Sequence, residues 1–261
     1  MHTAVRRSRG LLLAAWAGLL LTGCFETLNY RHIQDDFNAA VETDNVQSVD
    51  ALGALSGTDA VQRYTDIQAK LTDKDIDGLD DRLKPNAYAI RAVSQWRCGK
   101  LTEARNSAMK GLGLPNVADS PRDHIVLTMI PALVIDQELV SKFKAGGGTV
   151  SEARYNATYP SDFATAADML KDAASKVQPG TPDAIIFYVH LQRWRVLQNW
   201  SVVISMIDGG AAAGGEARER ARERAKSLLG GRDLLAEINS EQALVPADHP
   251  IRKAMEAVAL Q

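Results

Sequence analysis

Hydrophobic side chains recur every three or four positions along most of this chain, which is the period of an amphipathic α-helix. The spacing predicts helices over 26–41, 60–71, 86–98, 101–114, 125–135, 163–174, 183–207, 216–229, 234–238 and 251–258. Alanine is abundant and aromatic residues make up only 6% of the chain, which also favours helices over strands. Alternating strand and helix patterns, which indicate an α/β fold, are missing. The sequence therefore predicts an all-α protein.

Two of these helices are predicted to lie in the core. The segment 125–135 is apolar except for Thr128 and Pro131. It is too short to cross a bilayer, which takes about 20 residues, so we expect a buried central helix kinked at Pro131. The helix over 183–207 carries a stripe of aromatic and aliphatic residues at helical spacing, which is more typical of a core than of a ligand site.

The segment 86–114 predicts a closely packed helical hairpin. Small side chains at Ala92, Ala104 and Ala108 allow two antiparallel helices to approach each other, and Gly99 permits a tight turn between them.

This hairpin resembles one tetratricopeptide repeat. The matching positions are Tyr88, Ala92, Gly99, Leu101, Glu103, Ala104, Ala108, Leu114 and Pro115, with the proline one residue early. Arg91, Gln95 and Gly111 depart from the pattern, which has leucine, an aromatic residue and alanine there. No second copy follows at a period of about 34 residues. The resemblance implies stacked antiparallel helical hairpins, arranged as an irregular α-solenoid.

The N-terminal residues have the three zones of a signal peptide. Arg6, Arg7 and Arg9 make the start cationic, and residues 11–21 form an apolar run. Positions 21–24 then have the sequence Leu-Thr-Gly-Cys, in which small residues precede a cysteine.

Residues 21–24 resemble the lipobox of bacterial lipoproteins, whose pattern is Leu, a small residue, Gly or Ala, then Cys. The resemblance implies that 1–23 is a signal peptide and that Cys24 receives a diacylglyceryl group and then an N-acyl chain. Two or more acyl chains anchor a protein stably to a membrane. An ordinary secretory signal with a chance cysteine is the alternative. A twin-arginine signal fits less well, because the residues after Arg7 favour general secretion.

Phe25 bears on which membrane holds the anchor. An aspartate directly after the lipidated cysteine favours the inner membrane of proteobacteria. Phe25 therefore favours the outer membrane, with the protein facing the periplasm.

Without residues 1–23, the 261-residue chain keeps 238 residues. Its formal net charge changes from −2 to −5, because the removed segment carries three arginines and no acidic residue. A mildly acidic chain argues against a nucleic-acid partner. Three glycines at 146–148 predict a boundary between an N-terminal hairpin region, 24–145, and a C-terminal helical region, 146–261. A second Gly/Ala segment, 209–215, is predicted to be a flexible linker.

An acidic segment over 73–81 resembles the first half of a calcium-binding loop, in which closely spaced carboxylates converge on a hard cation. The candidate ligands are Asp73, Asp75, Asp77 and Asp81. Gly78 follows Asp77, but Ile76 stands where such loops usually turn with glycine. Lys84 occupies the position that normally supplies a bidentate glutamate. The alternative is an acidic surface loop that caps the next helix.

Other candidate chemistry is sparse. With Cys24 assigned to lipid, Cys98 has no disulfide partner, and we expect it to be a small buried residue on a helix. The five histidines are dispersed, and no nucleophile elbow or phosphate-binding loop is present. Apart from the lipid on Cys24 and the calcium candidate at 73–81, the sequence predicts no cofactor.

The sequence therefore predicts a lipid-anchored envelope protein that acts as a helical protein-binding scaffold. Its partners would be the membrane, through the anchor, and another envelope protein or peptide. A cell-envelope enzyme whose site is assembled from scattered carboxylates is the alternative. A solute-binding lipoprotein is disfavoured, because the strand and helix alternation of such proteins is missing.

Overall fold

The computed structural model describes residues 29–41 and 58–259. Regular structure in these ranges is helical, apart from an isolated parallel bridge between Val150 and Ile207. The helices are α1 (29–41), α2 (Thr58–Ala69), α3 (Asp73–Asp77), α4 (Lys84–Arg97), α5 (Leu101–Leu112), α6 (Pro121–Ala145), α7 (Glu152–Thr158), α8 (Pro160–Ser175), α9 (Asp183–Ser205), α10 (Gly215–Leu228), α11 (Leu234–Ala243) and α12 (Pro250–Ala259). The all-α prediction is confirmed.

The helices pack mainly against their neighbours in the chain, and α6 lies at the centre of the described part. It contacts α4 and α5 on the N-terminal side and α8 and α9 on the C-terminal side. Further out, α2 packs against α4, and α11 and α12 pack against α9. The glycines at 146–148 therefore separate helices that pack against each other.

α6 is a single helix that continues through Pro131, whose missing N–H removes one backbone hydrogen bond. Among the described helices it alone is long and apolar enough to cross a membrane, by length and composition. Its neighbours bury 61% of its most apolar 18-residue window. A buried central helix was predicted over 125–135, and the helix in the structure extends well beyond that segment in both directions.

The predicted hairpin over 86–114 is formed by α4 and α5. Gly99 has a φ of +73°, and the N–H of Lys100 donates to the carbonyl of Gln95 at 2.9 Å, which closes the turn as a Schellman motif. Ala92, Ala104 and Ala108 are fully buried, as expected of small side chains where two helices approach each other closely.

Gly111 marks a second close approach, between α4, α5 and α6. A Cβ atom built at this position would lie 2.8 Å from both terminal methyl carbons of Leu127 on α6. It would also lie 2.9 Å from the Cβ of Tyr88 on α4. Only a residue without a side chain allows the three helices to meet at this distance.

The core of the C-terminal half contains a column of aromatic rings. Tyr155, Tyr159 and Phe163 follow one another at ring-centroid distances of 6.4 and 6.3 Å, and Phe163 stacks on Trp200 of α9 at 5.8 Å. The indole N–H of Trp200 donates to the Tyr155 hydroxyl at 2.9 Å, whereas the buried hydroxyl of Tyr159 has no hydrogen-bond partner among the described residues. The predicted stripe on the helix over 183–207 does belong to the core.

Helix α10 is held by small side chains on one face and by charged side chains at its edges. Its buried residues are Ala217, Ala221 and Ala225. Arg220 forms a bidentate ion pair with Glu152 of α7, with both distances 2.8 Å.

The segment 209–215, predicted to be a flexible linker, is ordered in the structure. It forms two short 3-10 turns, Asp208–Gly210 and Ala212–Gly214. Arg218 of α10 donates to the carbonyls of Ile207 and Ala211 at 3.2 and 2.9 Å, which ties the segment to the helix that follows.

Candidate functional site

The residue with the sharpest sequence motif is Cys24, the predicted site of lipid attachment. It lies outside the described residues, as does the signal peptide, 1–23.

The four calcium candidates lie in and next to a short helix rather than in one loop, because residues 73–77 form α3. Asp75 accepts hydrogen bonds from the backbone N–H of Thr72 at 2.9 Å and from its hydroxyl, so its carboxylate completes a capping box. Those bonds hold the pKa of Asp75 below its ordinary value. Asp81 lies beyond α3 and pairs with Lys84 at 2.7 Å, and Asp77 is an exposed residue at the end of the helix.

Asp73 faces cations of the protein itself. Its two carboxylate oxygens accept from Arg91 at 2.8 Å and from Lys110 at 2.7 Å, and these bonds lower its pKa. In the described ranges no group of three or more histidine, cysteine or acidic side chains is arranged to hold a metal ion. The structure therefore does not bring Asp73, Asp75, Asp77 and Asp81 together.

Arg91 explains one departure from the repeat pattern. It is buried on α4, where the pattern has leucine, and each of its three guanidinium nitrogens donates a hydrogen bond. Its guanidinium donates to Ser107 on α5 at 2.9 Å, to the carbonyl of Leu71 at 3.1 Å and to Asp73. The Arg91 side chain thus joins α4 to α5, to α3 and to Leu71, which precedes α3. The sequence pattern alone could not distinguish it from a surface arginine.

A buried ion network connects α9 to α11. Arg193 donates to Glu237 at 2.7 Å and to Glu241, and its Nε donates to the carbonyl of Ala167 at 3.2 Å. His190 Nδ1 lies 2.8 Å from the other Glu241 oxygen, and Arg232 pairs with Glu237 at 2.8 Å. Burial acts to raise the pKa of Glu241, but His190 and Arg193 together outweigh it and hold the pKa below its usual range.

The sequence contained a signal for this network that was missed. His190 and Arg193 are three residues apart and Glu237 and Glu241 are four apart, so each pair shares one helix face. Because all members find partners, the network is suited to fixing α11 on α9 rather than to proton transfer.

A second buried carboxylate, Asp136 on α6, faces α9. The side-chain N–H₂ of Asn199 donates to its two oxygens at 2.9 and 3.0 Å. Burial raises the pKa of Asp136, and the opposing effects of Asn199 and Arg195 do not cancel that increase.

A third polar cluster lies where α1 meets α4 and α6. Asn86 accepts hydrogen bonds from Tyr30 and from Gln34, both at 2.7 Å, and donates to Asp123 at 2.8 Å. Burial raises the pKa of Asp123. This cluster attaches α1 to the rest of the described helices.

Cys98 is the C-cap residue of α4 and is half-buried against α2. Its sulfur lies 3.3 Å from the Gln68 amide nitrogen and 3.5 Å from the Thr65 hydroxyl. It is therefore less buried and more polar in its contacts than we expected.

The outward-facing side of α9 is the remaining candidate for a binding surface. Residues at spacings of three and four along this helix are partly or fully exposed, and we call them the α9 stripe. Its members are Ala184, Tyr188, Leu191, Arg195, Gln198, Val202 and Ser205. Val202 keeps 45% of its surface exposed, which is high for a branched aliphatic side chain next to a core.

No known protein family matches this chain, and neither a curated protein nor a solved structure is significantly similar to it. Its function therefore has to be inferred from its own residues.

Proposed function

We propose that this protein is a lipid-anchored envelope protein whose helices form a scaffold for binding another envelope protein or peptide. Two parts of this function, the anchor and the binding surface, rest on different residues and are tested separately.

The anchor rests on the sequence Leu-Thr-Gly-Cys at 21–24, behind a cationic start and an apolar run. In bacteria producing the full chain, a fatty-acid probe should label the wild type, and Cys24→Ser should abolish the labelling. Cys98→Ser is the matched control, because it removes the other cysteine of the chain and should leave the labelling unchanged. Labelled Cys24→Ser protein would contradict the anchor.

The scaffold rests on the packing order of the helices. The pairs α4/α5, α6/α8 and α9/α11 each pack together, and the first helices of these pairs also contact one another, α4 with α6 and α6 with α9. This order is the one expected of stacked helical hairpins related to tetratricopeptide repeats. Such stacks offer an extended surface lined by one helix of each pair, and they commonly bind peptides or proteins there.

The α9 stripe carries the binding part of the proposal. It combines the aliphatic Leu191 and Val202 with the amphipathic Tyr188 and a single cationic side chain, Arg195. Val202 is exposed, and Leu191 and Tyr188 are partly exposed. Tyrosine and arginine are enriched in protein-binding surfaces, so their presence beside these aliphatic side chains supports binding at the stripe. A segment with apolar side chains and at least one carboxylate would complement this stripe.

The binding surface can be tested with a photo-crosslinking amino acid at Gln198, between Arg195 and Val202, in the full anchored chain. We expect a discrete adduct with one envelope protein. The same probe at Asn106, exposed on α5, is the control and should give none. Adding Leu191→Asp should remove the Gln198 adduct. Equal adducts from both positions, or an adduct insensitive to Leu191→Asp, would contradict binding at the stripe.

A further inference from the structure

The exposed outer face of α11, as far as the structure describes the helices, is distinguished by having no charged residue. Its five exposed positions and the C-cap residue Leu244 together form what we call the α11 face: Leu235, Ala236, Asn239, Ser240, Ala243 and Leu244. The opposite side of the helix is buried against α9 and carries the two glutamates of the ion network. In a chain with 24% charged residues, a helix whose acids all point inward is unusual.

The two leucines of the α11 face are among the most exposed large apolar residues of the described part. Leu235 keeps 62% and Leu244 52% of its surface exposed. The last helices of a stack normally present a polar outer face, because no further neighbour covers them. An exposed, uncharged face with two such leucines instead indicates a surface that another protein covers.

The order of residues on the α11 face is the same in both directions along the helix. From either end, the face begins with a leucine, continues with an alanine and reaches a small polar residue, which is Asn239 from one end and Ser240 from the other. Its centre lies between Asn239 and Ser240, so Leu235 is as far from it as Leu244, and Ala236 as far as Ala243. At about 3.6 residues per turn, the six side chains are also distributed symmetrically about the middle of the exposed half of the helix.

This symmetry is the requirement for a two-fold interface, in which the same patch on both subunits meets itself in the opposite direction. We propose that the α11 face binds a second copy of this chain, with the two α11 helices antiparallel and a two-fold axis passing between Asn239 and Ser240.

The residue types fit that arrangement. Ala236 lies opposite the partner subunit's Ala243, so the helix axes approach closely at each end of the pair. Leu235 on one side and the partner subunit's Leu244 on the other flank this alanine contact. Near the two-fold axis, Ser240 faces the partner subunit's Ser240 on one side of the interface. Asn239 faces the partner subunit's Asn239 on the other side. No charged side chain is buried, so the pairing avoids a desolvation cost of that kind.

The contact area sets the strength of the pairing. The face extends over roughly 13 Å of helix, given a rise of about 1.5 Å per residue. A single helix pair buries less than the roughly 1,200 Å² of a standard stable interface. We therefore expect a reversible dimer that depends on protein concentration. The pairing does not depend on the lipid anchor or on the α9 stripe.

The first test uses paired charges and the full chain in non-ionic detergent, with mass measured by sedimentation. The wild type should change from monomer to dimer as concentration rises. Ala236→Lys and Ala243→Glu should each weaken dimerisation at least tenfold, because each places a charge against a partner alanine. The double variant should recover most of the wild-type association, since each lysine then meets a glutamate of the partner. Ser227→Glu, exposed on α10, is the control and should leave association unchanged.

The second test locates the axis in the membrane, where the full chain carries Ser240→Cys. Two cysteines facing each other across the axis can reach the Cβ–Cβ separation of about 3.5–4.5 Å that a disulfide needs. Oxidation should give a disulfide-linked dimer from Ser240→Cys but not from Ser227→Cys. A monomeric wild type at all concentrations, failure of the double charge variant to recover, or equal crosslinking at both positions would overturn the proposal.

Discussion

Gly111 is the residue at which three helices meet, and it occupies a position where the repeat pattern has alanine. Adding one methyl group there would force Leu127 or the α4 backbone to move, since the new Cβ would lie at 2.8–2.9 Å from their atoms. Overpacking of this kind costs about 1–3 kcal/mol. Gly111→Ala should therefore lower the free energy of unfolding by that amount in denaturant titrations.

Gly113 is the matched control for that change. It lies two residues further on, and a Cβ there would make only ordinary contacts at 3.5 Å. Gly113→Ala should leave the free energy of unfolding within about 0.5 kcal/mol of the wild type. If both variants were equally stable, the close approach at Gly111 would be absent.

Asp136 predicts a pH dependence. Its pKa is raised in the folded state, so between the ordinary value near 3.8 and the raised one the folded protein binds more protons than the unfolded chain. The contribution of Asp136 to stability is therefore greatest at low pH and decreases as pH rises through that window. Asp136→Asn keeps an acceptor for Asn199 but cannot ionise.

The measurement is the denaturant midpoint of wild type and Asp136→Asn at pH 4 and pH 7. The variant should gain stability relative to wild type as pH rises. Asp162→Asn, exposed on α8, should show no comparable gain. A difference between wild type and Asp136→Asn that is the same at both pH values would contradict the raised pKa.

The single residues that sequence reasoning missed are mostly buried polar ones. Periodicity identifies which positions face inward, as it did for Ala92 and Trp200, but it treats every charged residue as exposed. Arg91 and Arg193 are buried because partners from other helices satisfy them, and those partners are distant in sequence. Which of these residues, distant in sequence, lie close together in space is known only once the helices are packed.

At the scale of helices, the ion network controls how α11 sits on α9. Removing Arg193 would leave Glu237 and Glu241 buried with fewer positive partners, and breaking one side of a buried pair costs about 3–5 kcal/mol. We expect Arg193→Met to lower the free energy of unfolding by about that amount. Adding Glu241→Gln should recover part of the loss, because it removes a buried charge.

Arg222→Met serves as the comparison for Arg193→Met. Arg222 pairs with Glu219 on the same helix, and both side chains are more than half exposed. Exposed pairs contribute about 0–1 kcal/mol, so this variant should remain near wild type in the same titrations. Similar losses in the two variants would mean that the α9–α11 network does not hold those helices together.

Elements with a strong apolar period were predicted closely, and short ones were not. The helices α4, α5, α8, α9 and α10 lie within a few residues of their predicted ranges. The two shortest, α3 and α7, carry too few apolar positions to give a period and were missed. The capping box between Thr72 and Asp75, which starts α3, lies in the acidic segment that resembles half of a calcium-binding loop, with a surface loop capping the next helix as the alternative.

At the scale of the whole molecule, α6 joins the two predicted regions. It packs against α4 and α5 before the glycines at 146–148 and against α8 and α9 after them. Because α6 cannot lose either set of neighbours without exposing apolar surface, both regions should unfold together.

Calorimetry of the full chain in detergent tests that cooperativity. We expect one thermal transition whose calorimetric enthalpy equals its van 't Hoff enthalpy. Two resolved transitions would instead support 24–145 and 146–261 as independent domains.

Helix α10 has a different relation to the rest of the molecule, because it contributes three buried alanine methyl groups and no larger apolar side chain to the core. Its sequence of alanine, glutamate, arginine and lysine favours helix even without a neighbour. The free energy needed to separate α10 from α7 and α8 is consequently small compared with the free energy needed to unfold α6 or α9. In the native state α10 should behave as an independent unit of low local stability, whose backbone amides exchange with solvent long before those of the central helices.

The attachment of α10 through Arg220 and Glu152 should also loosen as salt concentration rises, since both charges lie near the surface.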